Sequence, residues 1–513
     1  MQQSVGKLLA ASAARLGDAE ALVCDGRTWT FRELDEASSR LASGLSGLGI
    51  GQGDVVSLYA PNSAEWIIGY YGVFKLGGVV NPLNLMLTPG EVAFAVQDCG
   101  AVAILGNRDK IASLHGVDLG ESLRHRLAWG GETPVGALDF DAVIAGASAD
   151  WNIPDIDPLA VSTIGYTSGT TGHPKGAQLT HQTILLNTAM TATYHLRTKE
   201  DVIVSALPCS HVYGNIVMNA AIAYGSKLVL HALFDVERAL SSIAEYRATL
   251  FEGVPTMYMY MLASPLLGQY DLSSLTRCTV GGQTMPLAKM QAVEAALGCR
   301  MLELWGMTEL GGLGTTHSVY GPAKLGSIGV VLPFMEARIA SAEEPSETLP
   351  DGEVGELQMR GPLVMKGYLN RPEATAETIL PDGWLRTGDL GYKDADGHFF
   401  IVDRLKDMII TGGFNIYPAE LERVIAEHGD VAMVAVCGLK DDAKGEVAAA
   451  FVVAKPGTGL CADALNQHCR ARLAAYKVPR AFHFVDDLPR TSSGKIMRRK
   501  LSELLPKPAE AAN

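Results

Sequence analysis

A chain of 513 residues is too long for a single hydrophobic core and calls for about three domains or subdomains. Its 42 basic and 56 acidic residues give a net charge of −14, which argues against a nucleic-acid partner, because no basic face is evident beyond a short run near the C-terminus. The eight cysteines form no CxxC pair and read as reduced, buried thiols of a cytoplasmic protein, and MQQSVGKLLAASAARLGD lacks the long apolar core of a signal peptide.

Along residues 1–150, helical patterns alternate with the short apolar runs DVVSLYA, GVVNPLN and AVAILGN, an α/β rhythm. The most apolar stretch, Trp66 to Val80, contains Lys75 and several glycines and is too short to span a membrane. Leu159 to Tyr166 reads as a buried strand, and Gln178 to Met190 has helix-like spacing with Thr180 as a cap. Between them, TSGTTGHPKG (Thr167–Gly176) reads as a loop joining strand to helix. Its glycines free backbone N–H groups to face a ligand, while Ser168, Thr170 and Thr171 add hydroxyls and Lys175 a cation, so it is an anion cradle suited to phosphate. Pro174 stands where a Walker A loop needs glycine, so the cradle is of another kind. The α/β rhythm continues through KLVLHA, ATLFEGVP and CTVGGQ. From about Ala337 to Asp403, acidic turns separate alternating strands in a small β region. A further block follows, with strands near VAMVAVCGL and AAAFVVAKP and a helix over Ala462–Ala475. A boundary is expected at 403–406.

More stretches carry chemistry-bearing residues: PCSHVYG (208–214), GGQTMP (281–286), ELWGMTE (303–309), WLRTGDLG (384–391), DRLKDMIITGGFNIYPAELE (403–422) and PRTSSGKIMRRK (489–500). Singly, His211 reads as a core histidine, Glu309 as a cap, Asp389 as a turn residue and Lys495 as part of a solvated face. As an ordered set spread over essentially the whole chain, these motifs resemble the adenylate-forming superfamily of acyl-CoA synthetases, adenylation domains and firefly luciferase.

The resemblance implies an α/β fold: a large N-terminal domain of stacked α/β subdomains (1–403) with the small β region, and a smaller, mobile α+β C-terminal domain (404–513). It implies an enzyme that activates a carboxylate with ATP as acyl-adenylate, releasing pyrophosphate, and then transfers the acyl group to coenzyme A. Thr167, Ser168, Gly169, Thr170, Thr171 and Lys175 correspond to the family's ATP-phosphate loop. Gly281, Gly282 and Gln283, with Leu304, Trp305 and Gly306, correspond to the adenine slot; Trp305 replaces the family's usual Tyr and still offers a flat face. By the same resemblance Thr308 contacts the α-phosphate, Glu309 ligates Mg²⁺, Asp389 accepts from both ribose hydroxyls with Arg404 assisting, and Lys495 bridges the carboxylate and the α-phosphate. His211 matches the gate between acyl site and pantetheine tunnel. Lys406 matches the hinge of the C-terminal domain. Gly412 and Gly413 border the thiol's path, while Lys444, Tyr476 and Arg480 fall where relatives contact the CoA nucleotide. Lys495 also resembles a site acetylated in relatives, which implies a lysine acetyltransferase and deacetylase as partners.

The expected acyl pocket, which includes Val212, Tyr213, Val254, Leu310, Gly311 and Gly312, is mostly apolar. No Arg stands in its segments, which favours a fatty or aromatic acid over a dicarboxylate. Two alternatives share the motifs: an adenylating enzyme that loads a carrier protein, and a luciferase-like oxygenase. Amino-acid-activating modules carry an Asp in the motif that here reads HVYG, and no Asp stands between Pro208 and Gly214. A non-enzymatic nucleotide-binding protein is expected to have lost Lys495 or Glu309, and both are present.

Overall fold

The computed structural model describes residues 4–167, 174–322, 324–405, 407–411, 414–441, 445–491 and 496–505. Among them, two large mixed sheets dominate the N-terminal domain. The first runs, in spatial order, through Leu138–Asp139, His125–Trp129, Ala103–Asn107, Val55–Tyr59, Val79–Pro82, Val161–Thr167 and Lys175–Thr180. The second runs from Val330–Val331 through Gly312–Thr316, Arg300–Met307, Arg277–Gly281, Leu250–Gly253, Val202–Ser205, Lys227–Leu230 and Glu20–Cys24 to Arg27–Thr30. Parallel pairing fills both centres, and their strands are buried on both faces, as sheets covered by helices require. The helix Ala64–Leu76 is buried nearly all round and packs within the largest core cluster, so its apolar run serves packing. No helix of the described residues is long and apolar enough to cross a membrane.

A four-stranded antiparallel sheet, Glu336–Ala340, Gly355–Arg360, Leu385–Lys393 and Phe399–Arg404, forms the small β region. Beyond it, the C-terminal domain builds a separate sheet around the long hairpin Val431–Asp441 and Gly445–Ala454, with its own core. Its helix ends at Arg470, short of the Ala475 expected from the alanine-rich sequence. Ala471, Ala474 and Ala475 are exposed, so propensity there had no face to bury, and the chain turns instead.

The phosphate-loop context also differs from the expected strand–loop–helix. Lys175–Thr180 is a strand, paired antiparallel to Val161–Thr167 with Thr167 opposite Lys175, so the loop joins the two arms of a hairpin. The helix follows as His181–Tyr194, and Thr180 is its cap, its hydroxyl accepting from the Thr183 N–H. The cysteines of the described residues are unpaired and mostly buried, but Cys461 is exposed, against expectation.

Candidate active site

Two strand ends meet at the site. Arg300–Met307 carries Leu304, Trp305 and Gly306 and runs directly into the short 3₁₀ turn Thr308–Leu310. Gly311 ends that turn in a left-handed conformation, φ 63°. The hairpin arm Val161–Thr167 lies against the turn. A Cβ on Gly165 would come within 2.9 Å of the Thr308 methyl, so only glycine lets the phosphate hairpin approach Thr308 this closely.

Asp389 lies within the strand Leu385–Lys393, not at a free turn, and Arg404 is its cross-strand partner. Both carboxylate oxygens are engaged. The Trp305 indole N–H donates to Oδ2 at 2.7 Å, and Arg404 Nε lies 3.2 Å from Oδ1. Trp305 thus spends its polar edge on orienting Asp389, a role that adenine stacking alone does not capture.

On the other side of the turn, Glu309 is buried, and the Tyr368 hydroxyl donates to its Oε1 at 2.7 Å. Lys175 Nζ sits 5.2 Å from the centroid of the same tyrosine ring, a cation–π distance. Tyr368 therefore joins the phosphate-hairpin lysine to the acidic turn. Backbone bonds fix this strap: Met365 N–H donates to the Glu309 carbonyl at 2.8 Å, and Leu369 N–H to that of Gly176 at 2.8 Å. Sequence reading missed Tyr368. Its signal was an aromatic in KGYLNRP amid glycine and basic residues, which has no chemistry until folding sets it beside Glu309. Burial raises the Glu309 carboxyl above its ordinary range, an effect that Tyr368 and Arg404 oppose. One buried carboxylate with no Lys or Arg in ionic contact among the described residues suits a cation that takes its other ligands from phosphate and water, which fits Mg²⁺.

Glu303, on the strand that leads to Trp305, is buried with Oε2 unbonded among the described residues, and desolvation lifts it from an ordinary 4.5 to about 8. The folded chain then keeps a proton through a window in which the unfolded chain has lost it, so this group's contribution to stability falls as pH rises from about 4.5 to about 8. Glu303→Gln is expected to raise the melting temperature at pH 8.5 clearly more than at pH 5. An equal change at both pH values would show that Glu303 does not titrate there.

His211 caps the helix Val212–Tyr224, its ring Nδ1 accepting from the Tyr213 N–H at 3.3 Å, so it has a structural task beside the expected gate. Val212 and Tyr213 form the first turn of that helix, buried Val254 precedes the helix Pro255–Ala263, and Leu310, Gly311 and Gly312 lie buried at the acidic turn. Gly281 ends the strand Arg277–Gly281, and Gly282 follows at φ 90°. Arg197, from the loop after His181–Tyr194, is wholly buried against Glu252, two residues before Val254. Tyr476 and Arg480 lie exposed on the C-terminal domain. Ser168, Gly169, Thr170, Thr171, Lys406, Gly412, Gly413, Lys444 and Lys495 lie outside the described residues.

The flanks of the Lys495 segment do reach the N-terminal domain. Gln283 Nε2 is 3.5 Å from the Ile496 carbonyl oxygen, and the Arg490 guanidinium lies 5.1 Å from the Tyr260 ring centroid. Arg498 contacts Asp403 at 3.2 Å, Asp407 at 3.3 Å and Glu422 at 2.7 Å, tying the same segment to the residues on either side of position 406. Arg490 and Thr491 also line a cleft with Asn62, Ser210, Thr256 and Met257, next to His211.

Residues 9–369 match the family model described as AMP-binding enzyme, and 420–495 match its AMP-binding enzyme C-terminal domain. A long-chain-fatty-acid–CoA ligase of Bacillus subtilis (strain 168) is 38% identical over 98% of this chain and 94% of its own length. An anthranilate CoA ligase solved with anthranoyl-AMP superposes with a TM-score of 0.90 at 28% identity, covering 98% of this chain and 96% of that one. An o-succinylbenzoate coenzyme A synthetase of Bacillus subtilis, solved with ATP and magnesium ion, gives 0.82 at 32% identity over 97% of this chain and 99% of that one.

Proposed function

Since the chain belongs to the AMP-binding enzyme family and is an AMP-forming acid–thiol ligase, we propose that it makes fatty or aryl acyl-CoA thioesters with the residues gathered around Trp305, Glu309 and Asp389. The observation that carries this reading is the convergence of two constellations on one strand-to-turn junction: Asp389 held by Trp305 and Arg404, and Glu309 joined through Tyr368 to Lys175. The first suits a ribose, because a fixed carboxylate retains lone pairs for two hydroxyls. The second suits the phosphates.

In the first half-reaction a carboxylate oxygen attacks the α-phosphorus of ATP, and pyrophosphate departs. Two anions must meet, so cations and donors have to be set in place beforehand. Lys175 and the phosphate-loop hydroxyls hold the β- and γ-phosphates, Thr308 faces the α-phosphate, and Lys495 bridges the two reacting groups. Glu309 would hold Mg²⁺, which when bound offsets charge on the phosphates. In the second half-reaction the CoA thiol attacks the acyl carbon and AMP leaves. We place the thiol's path in the cleft between the two domains beside His211, with Gly412 and Gly413 at its margin and Lys444, Tyr476 and Arg480 toward the CoA nucleotide. The domain boundary falls at 403–406 with Lys406 as hinge, a reading supported by the clasp of Arg498 on Asp403 and Asp407.

The test is a panel of short, long and aromatic acids with ATP, Mg²⁺ and CoA, following pyrophosphate and thioester together. Equal yields of AMP and thioester are expected. Pyrophosphate release without thioester from any acid would favour carrier loading instead.

A cytoplasmic setting would expose Lys495 to acetylation, which removes the cation the first half-reaction needs. Stoichiometric acetylation at Lys495, checked by mass spectrometry, is expected to silence the enzyme, and a deacetylase to restore it. Full activity of the acetylated protein would contradict this.

A further inference from the structure

The segment that carries Lys495 is held at both ends. Arg490 and Ile496 form an isolated antiparallel bridge, and the Met497 N–H donates to the Pro489 carbonyl at 2.8 Å, so residues 491–495 are closed at their base. Each side of that base touches the N-terminal domain. Ile496, the residue after Lys495, has its carbonyl oxygen 3.5 Å from Gln283 Nε2, just past the strand Arg277–Gly281. Arg490 lays its guanidinium 5.1 Å from the ring centroid of Tyr260, on the helix Pro255–Ala263. Tyr260 and Arg490 both line the cleft beside His211.

The contacts of Arg490 divide by domain. Its Nη1 donates to Asp487 at 2.8 Å and its Nη2 at 2.6 Å, and Nη2 also lies 3.3 Å from Met433 Sδ. These partners belong to the C-terminal domain and fix the plane of the guanidinium from within it. Nε is buried and has no hydrogen-bond partner among the described residues. The Arg490 side chain is only 16% exposed, a largely desolvated setting in which an aromatic face attracts a cation most strongly. Among the described residues, what Arg490 gives the N-terminal domain is therefore contact with a ring face, and its ion pair stays at home with Asp487. Such a contact seats the segment, yet it breaks without leaving a buried charge unpaired, because Asp487 travels with Arg490. A segment needed in one half-reaction and absent from the next requires a hold of that kind.

We propose that Tyr260 is a positioning residue for the first half-reaction: its ring seats Arg490 and, through the closed base of the segment, sets Lys495 against the carboxylate and the α-phosphate. The inference rests on the acid–thiol ligase reading with Lys495 at the reacting groups, and it adds a residue that acts through Arg490. Tyr260 has no such task in the second half-reaction, for which that cation is not needed.

The experiment measures the half-reactions separately in the full-length protein: acid-dependent pyrophosphate release in a first turnover without CoA, and thioester formation from synthetic acyl-adenylate and CoA. The acid is the one from the panel that is turned over fastest. Tyr260→Leu removes the ring face and keeps an apolar wall, Tyr260→Phe keeps the face, and Arg490→Met removes the cation. Tyr260→Leu and Arg490→Met are each expected to slow pyrophosphate release about fivefold or more and to leave thioester formation within about twofold of wild type. Tyr260→Phe is expected to stay within about twofold in both assays, since the ring face remains. The double variant Tyr260→Leu/Arg490→Met is expected to lose no more than the worse single variant, because two residues that act through one contact do not add. Melting temperatures are recorded beside the rates, and Arg490→Met carries the test alone if Tyr260→Leu fails to fold. Wild-type pyrophosphate release in the folded single variants overturns the proposal. Equal loss of both half-reactions also overturns it and leaves Tyr260 as a wall of the cleft, and so does full additivity in the double variant. Wild-type pyrophosphate release from Lys495→Ala overturns the placement of Lys495 itself, a result distinct from an unaffected Tyr260→Leu beside an inactive Lys495→Ala.

Discussion

Lys495→Ala is expected to abolish acid-dependent pyrophosphate release, yet to form thioester from supplied acyl-adenylate and CoA at close to the wild-type rate. The reason is electrostatic. Only the first half-reaction brings a carboxylate and a phosphate together, and only there does an ammonium group offset the charge of two approaching anions. Once the mixed anhydride exists, a neutral acyl carbon meets a thiol, and that cation has no partner to stabilise. The neighbours of the segment support its place in the first step, since Ile496 approaches Gln283 and Arg490 lies over Tyr260. Gly413→Leu is the complementary variant. A side chain at the margin of the thiol's path is expected to spare the first release of pyrophosphate and to block thioester formation from supplied adenylate. Both losses should reach about 10²-fold or more, because a missing or blocked reactant group cannot be replaced by diffusion. Melting temperatures separate these effects from misfolding. If both folded variants lose the same half-reaction, the division of labour between the two segments is wrong.

Asp389→Ala should lower kcat/KM for ATP by two orders of magnitude or more. A carboxylate that accepts two ribose hydroxyls makes two charge-assisted bonds of about 1.5–3 kcal/mol each, and a factor of ten requires about 1.4 kcal/mol. The structure adds a second cost, because truncation leaves the Trp305 indole N–H without its acceptor and Arg404 without its ionic partner. Trp305→Phe isolates that contribution: it removes the N–H while Asp389 stays, and it should raise KM for ATP by less than Asp389→Ala does. An Asp389→Ala protein within about threefold of wild type would remove this residue from the nucleotide site.

The motifs are legible in the sequence because each pairs unusual residue types at short spacing, whether it falls within a strand, as Asp389 does, or on the turn just after one, as Thr308 and Glu309 do. The fold brings several of them together: Trp305 and Arg404 both hold Asp389, and Arg404 acts on Glu309. What stayed hidden depends on partners far away in the chain. In the sequence, Lys175 and Gly176 fall in the loop and helical spacing begins at Gln178; the strand Lys175–Thr180 comes from pairing with Val161–Thr167, a cross-strand property that local periodicity cannot express. Tyr368 acquires its role only when the strap at 365–369 is stitched to Gly176 and Glu309. Arg197 stands in an unremarkable loop, and Glu252 in an apolar strand. Their pairing joins two elements whose sequences do not predict each other.

The central claim is that a carboxylate oxygen of the acid becomes bonded to the α-phosphorus of ATP. Acid labelled with oxygen-18 in both carboxyl positions, turned over with ATP, Mg²⁺ and CoA, tests it directly by mass spectrometry of the products. Attack at the α-phosphorus followed by thiolysis leaves one labelled oxygen on AMP and none in pyrophosphate. Unlabelled AMP, or label in orthophosphate beside ADP, would contradict the account, because the acid would then have been activated by another route.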